Sequence, residues 1–297
     1  MPQGQKSSFL KGLKILCGAL LTLAASAAHS RVPAHELVQK AGWQWQVISA
    51  SAFDLAIARK PAAAPADTLI VYIEGDGFAY ASPTERAMDP TPTDPVALRM
   101  ALQHPGGGPV AWLARPCQFG PRARNCQSDY WTIARYSPEV VASASAALDR
   151  LIADTAGASR VILVGYSGGG ALAALLAERR RDIAALVTVA ANLDLGAWVK
   201  MHDLTPLDGS LDPASDAARL AVLPQAHFVG AKDRVVDERI ARSFVARMPG
   251  NTDASIIVLP GQDHGCCWTD LWPQLASRPE LLRFKGWIQS EMVVVEH

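Results

Sequence analysis

The sequence lacks an excess of either charge: Lys and Arg number 28, and Asp and Glu also number 28, across 297 residues. Phosphate binding needs a basic excess on at least one face, so no nucleic-acid partner is expected. The one tight basic run, Arg179-Arg180-Arg181, suits the last turn of a helix, where cations are favourable. Cysteine is scarce, at five residues. Adjacent cysteines and a distant pair do not supply the usual two-to-four-residue ligand gap of a zinc site, so no metal is expected. No internal repeat is present, which excludes a solenoid or propeller. Nor is there a long hydrophobic run: the apolar stretch Ile15 to Ala28 is shorter than the ~20 residues a spanning helix needs.

That stretch follows Lys6, Lys11 and Lys14 and ends in small residues, Ala25-Ser26-Ala27 or Ala28-His29-Ser30. A basic start, a short apolar segment and a small-residue end describe a secretory signal peptide over residues 1–30. The expectation is therefore an exported protein, periplasmic or secreted, with no stable membrane span once the leader is removed. Lipidation at Cys17 is disfavoured, because Leu16 precedes it where a small residue is wanted. Four cysteines then remain in an oxidising compartment, Cys117, Cys126, Cys266 and Cys267, and they allow three connectivities. The loop from Cys117 to Cys126 is the easiest to close. Cys266-Cys267 is left as a vicinal disulfide or two free thiols.

Residues 31–297, in a chain that is 49% apolar, are long enough for one large domain with a core that needs no staples. Trp43–Ile48 and Phe53–Ala58 alternate apolar and polar positions and read as two antiparallel strands. Buried-type strands follow at Leu69–Ile73, Val110–Ala114, Val161–Val164, Ala185–Ala190, Ala226–Val229 and Ser255–Leu259. Helices are expected from Ser137, over Ala171–Arg181, over Asp237–Met248 and from Trp268 onward, clearest at Leu281–Ser290. Ser82 to Pro95 is irregular, since its prolines remove donors. Strands separated by helices of this length predict an α/β fold with a mostly parallel sheet covered on both faces. Residues 192–223 carry few signals and read as a small cap or a surface excursion.

One turn carries the chemistry. The strand Val161-Ile162-Leu163-Val164 runs into Gly165-Tyr166-Ser167-Gly168-Gly169 and then a helix. A G-x-S-x-G turn between strand and helix lifts the serine oxygen above the sheet and aims the next N–H, that of Gly168, at the same point. A serine hydroxyl needs a base, and the base needs a carboxylate to hold its tautomer. Downstream, Asp233 follows one strand end and His264 the next, on the sheet edge that Ser167 occupies. Asp237, Asp194 and Asp263 are weaker candidates for the acid, and His104, His202 and His227 for the base.

In that order of nucleophile, acid and base, the chain resembles the α/β-hydrolase superfamily over nearly all its mature length. The resemblance implies a serine hydrolase without cofactor, in which Ser167 attacks, His264 is base then acid, and Asp233 orients the imidazole. Asp89-Pro90-Thr91-Pro92 and Arg115-Pro116-Cys117-Gln118 resemble segments of a group of exported bacterial hydrolases. The second oxyanion donor is expected from Glu74-Gly75-Asp76-Gly77, where relatives carry a His-Gly turn, with the Asp76 N–H favoured over that of Gly77. Its two carboxylates would oppose a forming oxyanion unless they point away or are paired, with Arg115 or Arg122 as partners, and would disfavour anionic substrates. Phe78, Tyr80, Tyr166 and Trp268 are candidates for a substrate pocket or for core. Cleavage of small-molecule esters with short or medium acyl groups is the default expectation, while thioester or amide cleavage and acyl transfer to an alcohol share the mechanism and are not separated by the sequence. Two other readings stand beside it: a non-catalytic relative that binds a ligand, and a dinucleotide-binding oxidoreductase. The latter would use Gly168-Gly169-Gly170-Ala171-Leu172-Ala173 and Asp194.

Overall fold

A computed structural model describes residues 33–61, 64–82, 84–120, 124–250 and 252–289. The expected leader, with Cys17, lies outside the described residues, as do Arg122 and Ser290. Eight strands form one sheet: β1 (Gln44–Ala50), β2 (Phe53–Arg59), β3 (Thr68–Ile73), β4 (Val110–Leu113), β5 (Arg160–Tyr166), β6 (Ile183–Val189), β7 (Gln225–Gly230) and β8 (Ala254–Leu259). Their spatial order is β1-β2-β4-β3-β5-β6-β7-β8. The first two run antiparallel, and β4, β3 and β5 through β8 are parallel.

Burial on both faces explains the unbroken apolar strands. Leu69, Val71 and Ile73 of β3 join Val161 and Leu163 of β5 on one face. Ile70 and Tyr72 join Ile162 and Val164 on the other. The period of two thus splits each strand between two cores. The first core is covered by α3 (Pro138–Ala153), α4 (Gly168–Ala177) and α6 (Glu238–Val245), the second by α1 (Ala34–Lys40), α2 (Val96–Leu102) and α7 (Trp268–Leu275). Ser137 caps α3, its side chain accepting from the Val140 N–H, with Pro138 in the first turn, as the sequence predicts. Every residue of α4 is buried, so this helix has no polar stripe to read.

The long helix expected over Leu281–Ser290 is absent. Only α8 (Pro279–Leu282) forms, and the chain then turns. Leu281, Phe284 and Trp287 are all buried, but their spacing of three serves successive turns rather than a helix face. Gly286 sits at φ +87°, where a Cβ would be 2.5 Å from Thr68 Oγ1. Residues 192–223 contain α5 (Leu195–His202) and two 3-10 turns, Pro213–Ser215 and Ala217–Leu220. Disulfides join Cys117 to Cys126 and Cys266 to Cys267. Among the described residues no helix is long and apolar enough to cross a membrane, and no cluster of His, Cys, Asp or Glu is arranged to hold a metal ion.

Candidate functional site

Ser167 follows β5 directly and stands just before α4 at φ 51° and ψ −123°. Such backbone is costly for a residue with a Cβ and is held here by the strand before it and the helix after it. Its Oγ lies 3.0 Å from Nε2 of His264. Nδ1 of that ring lies 2.8 Å from Asp233 Oδ2. A carboxylate only accepts, so Nδ1 carries the hydrogen and Nε2 turns its lone pair to the serine hydroxyl. The structure thus brings the three sequence-predicted residues into one hydrogen-bonded line.

The supports are local. Asp233 ends the turn after β7 with its side chain buried, and its other oxygen accepts from the Val235 and Val236 N–H groups at 2.8 Å each. The His264 carbonyl accepts from Tyr166 Oη at 2.8 Å and from Trp268 Nε1 at 3.1 Å. The competing carboxylates point elsewhere. Asp237 caps α6 and pairs with Arg239, Asp194 caps α5 and accepts from Ser243 and Arg247, and Asp263 accepts from the Gly265 and Cys266 N–H groups. His227 is buried against Thr188 and His104 half-buried against Tyr72, both away from the serine, and His202 lies against the Val235 carbonyl.

The loop after β3 faces the same point. Neither the Gly168 N–H nor the Asp76 N–H has an acceptor among the described residues. The Asp76 side chain packs on the start of α4, where a Cβ on Gly168 would lie 2.0 Å from Asp76 Oδ1. Arg115 Nη1 and Arg135 Nη1 each donate to this carboxylate at 2.8 Å, and Tyr136 Oη donates at 2.9 Å. Burial raises the Asp76 carboxyl, but the two guanidinium groups outweigh it and hold it below the usual range. The cluster of two arginines and one aspartate therefore carries one net positive charge. The expectation that this loop repels anions does not hold for Asp76.

Glu74 is buried at the side of the cleft, which it helps line. Its Oε1 accepts from the Gly75 and Ala97 N–H groups, and its Oε2 from Leu98 N–H and Trp112 Nε1. Burial nevertheless pushes its carboxyl up to about 7 against those four donors. It ties the loop after β3 to the first turn of α2, a helix hidden in the sequence behind the Pro-rich passage. Gly77 sits at φ +70°, with Pro90 O 2.1 Å from where a Cβ would be. The two segments noted for their resemblance brace this turn. Pro90 O accepts from the Phe78 N–H at 2.9 Å, Gln118 Nε2 donates to Gly75 O at 3.0 Å, and Thr91 Oγ1 accepts from the Phe119 N–H.

A small cleft of about 210 Å³ opens over Ser167 and His264, lined by Phe78, Pro92, Val96 and Tyr166. Tyr80 lines a neighbouring cleft and Trp268 is core. The glycine run after Ser167 answers to packing. A Cβ on Gly169 would come within 2.2 Å of Ile73 O, and a pyrophosphate at Gly168 would meet the Asp76 carboxylate. The dinucleotide reading loses its physical basis. Sequence reasoning missed Arg135, which lies in an irregular connection 59 residues from Asp76.

A parallel sheet of this order, a serine on the turn from β5 to α4, and an acid and a histidine after β7 and β8 define one architecture. This is the α/β-hydrolase fold. No protein-family model and no curated protein sequence matches the chain. Solved structures similar to it include an esterase of Pyrococcus furiosus, at 12% identity and a TM-score of 0.59, covering 84% of this chain and 93% of that one. A puromycin-hydrolyzing peptidase of Mycobacterium tuberculosis matches at 16% identity and a TM-score of 0.60 over 84% of this chain, which spans only 40% of the peptidase. A 2,6-dihydroxy-pseudo-oxynicotine hydrolase matches at 16% identity and a TM-score of 0.54, covering 84% and 69% of the two chains. At these identities the likeness is one of fold. In the α/β-hydrolase frame the cleft lies beyond the carboxyl ends of the parallel strands, where open α/β sheets bind ligands.

Proposed function

We propose that this protein is a serine hydrolase that cleaves carboxylic esters with short or medium acyl groups through an acyl-enzyme. The observation that carries the reading is the line Ser167 Oγ, His264 Nε2, His264 Nδ1 and Asp233 Oδ2, with steps of 3.0 and 2.8 Å at its two hydrogen bonds. Ser167 Oγ attacks the carbonyl carbon while His264 Nε2 takes its proton, and Asp233 holds the imidazolium that forms. The oxygen of the tetrahedral intermediate takes the Gly168 and Asp76 N–H groups, which have no other acceptor among the described residues. Donors fixed before reaction stabilise charge without reorganising. His264 then returns the proton to the leaving alkoxide, and water repeats the sequence on the acyl-enzyme.

The small cleft favours short acyl groups: about 210 Å³ is below the ~300–1,000 Å³ of sites that enclose drug-sized ligands. An alkoxide needs less help to leave than an amine, which favours esters over amides. The test is hydrolysis of p-nitrophenyl esters of increasing chain length by the mature protein beside Ser167→Ala. Wild type should cleave the acetate and butyrate, and the variant should lose about 10⁴–10⁶ in kcat. Equal rates for the two proteins, or no labelling of Ser167 by a fluorophosphonate, would leave a ligand-binding relative with a vestigial triad.

A further inference from the structure

A second cleft, of about 440 Å³, is walled by Tyr80, Ile133, Trp198, Leu204 and Leu207 and includes Arg135. Its segments follow β3, β4 and β6 in the chain, and β5, which leads into Ser167, runs between β3 and β6. The cleft therefore stands on the sheet edge that carries the serine. Asp76 lines the small cleft and Arg135 the larger one, so their ion pair at 2.8 Å is the wall between the two.

Arg135 is only 8% exposed. Its Nε donates to Thr132 O and its Nη1 to Asp76. Nη2 makes no hydrogen bond among the described residues and is not sealed from solvent. No carboxylate lines this cleft, and Asp76 is shared with Arg115, so one positive charge of the cluster goes unanswered. A guanidinium nitrogen with free N–H groups among apolar walls suits an anion on an apolar stem, because it can donate a charge-assisted hydrogen bond to a carboxylate oxygen and the stem gains by leaving water.

We infer that the larger cleft is a substrate subsite for an apolar group ending in a carboxylate, carried by the ester whose scissile bond lies at Ser167. The inference rests on the hydrolase reading for its chemistry and on Arg135 for its selectivity. It makes the natural substrate an ester that also bears a free carboxylate beyond an aromatic or aliphatic spacer. The wall at Asp76 and Arg135 sets how far that carboxylate lies from the reacting carbonyl.

Binding tests the subsite without turnover. Calorimetric titration of Ser167→Ala with 4-phenylbutyrate and with its neutral amide compares two ligands of one shape. The carboxylate should bind at least 10-fold tighter. Adding Leu204→Trp, at a position 44% exposed and outside the triad, should fill the cleft and weaken 4-phenylbutyrate by 10-fold or more. The thermal midpoint of the double variant should stay within a few degrees of that of Ser167→Ala, which shows that it folds. Equal affinity for the two ligands, no binding of either, or binding unmoved by Leu204→Trp would each overturn the subsite. Failure of the hydrolase reading appears separately, as absence of p-nitrophenyl acetate turnover in wild type, and the affinities still decide whether the cleft takes an anion.

Discussion

Asp233 makes no contact with the serine, yet it decides which nitrogen of His264 faces Ser167. Its Oδ2 accepts the Nδ1 hydrogen, while its Oδ1 is occupied by two backbone N–H groups. In Asp233→Asn the amide nitrogen has to lie toward either those two donors or the ring. Facing the ring, it pins Nδ1 as an acceptor and places the hydrogen on Nε2, where Ser167 needs a lone pair. The expected result is a loss of about 10⁴ in kcat on p-nitrophenyl acetate with a thermal midpoint within a few degrees of wild type. A loss of only a few-fold would mean that the ring is oriented by its packing against Tyr166 and by the backbone that Tyr166 and Trp268 hold at the His264 carbonyl. These three residues were readable in the sequence because each sits on a short turn after a strand, with the residue type its role requires. Arg135 was not. It becomes meaningful only through Asp76, and nothing in the connection from β4 to α3 ties the two together before the chain folds.

The elements around the serine depend on a close approach between the start of α4 and the loop after β3. Gly168 is where the Asp76 carboxylate fits, and a methyl there would lie 2.0 Å from Oδ1 and 2.2 Å from Cγ. In Gly168→Ala the helix start is fixed by the sheet, so the loop must yield and carry the Asp76 N–H away from the oxyanion position. A lost oxyanion donor costs about 10²–10³ in kcat. The measurement is kcat and KM on a short ester, with kcat expected to fall more than KM changes. Retained kcat would move the second donor to Gly77. Element by element, the sequence predicted every strand to within a few residues, because strands buried on two faces are short, branched and apolar. It failed where packing chose the shape: α2 is hidden after prolines at 90, 92 and 95, and the stretch after Leu282 follows Gly286 against Thr68 rather than its own spacing.

The whole molecule buries titratable groups of both kinds, and their opposed displacements set its stability against pH. Burial pushes Glu74 up to about 7 and Glu178 up to about 8, the latter with Oε1 left without a donor despite its Arg179 partner. Burial also pushes His104 and His227 down to about 4. Between pH 8 and 6.5 only the carboxylates differ between states. The folded form binds more protons there, so stability rises as pH falls. Between about 6.5 and 4.5 the unfolded histidines take up protons while the folded carboxylates hold theirs, and the two terms oppose each other. Below about 4.5 the unfolded chain gains protons on its carboxylates as well, and stability falls. Asp76 and Asp194, held low by their arginines and hydrogen bonds in the folded state, add to that loss below the ordinary carboxylate range. The thermal midpoint is therefore expected to be highest between pH 4.5 and 6.5 and lower on both sides. Half of the Glu178 displacement is about 2 kcal/mol, or roughly 5 °C for a domain of this size. Glu178→Gln removes that titration and should shrink the difference in midpoint between pH 6 and 8, while leaving the acid limb to the histidines and aspartates. A midpoint at pH 8 equal to that at pH 5.5 in wild type would mean that the buried carboxylates are charged in the folded state at no cost.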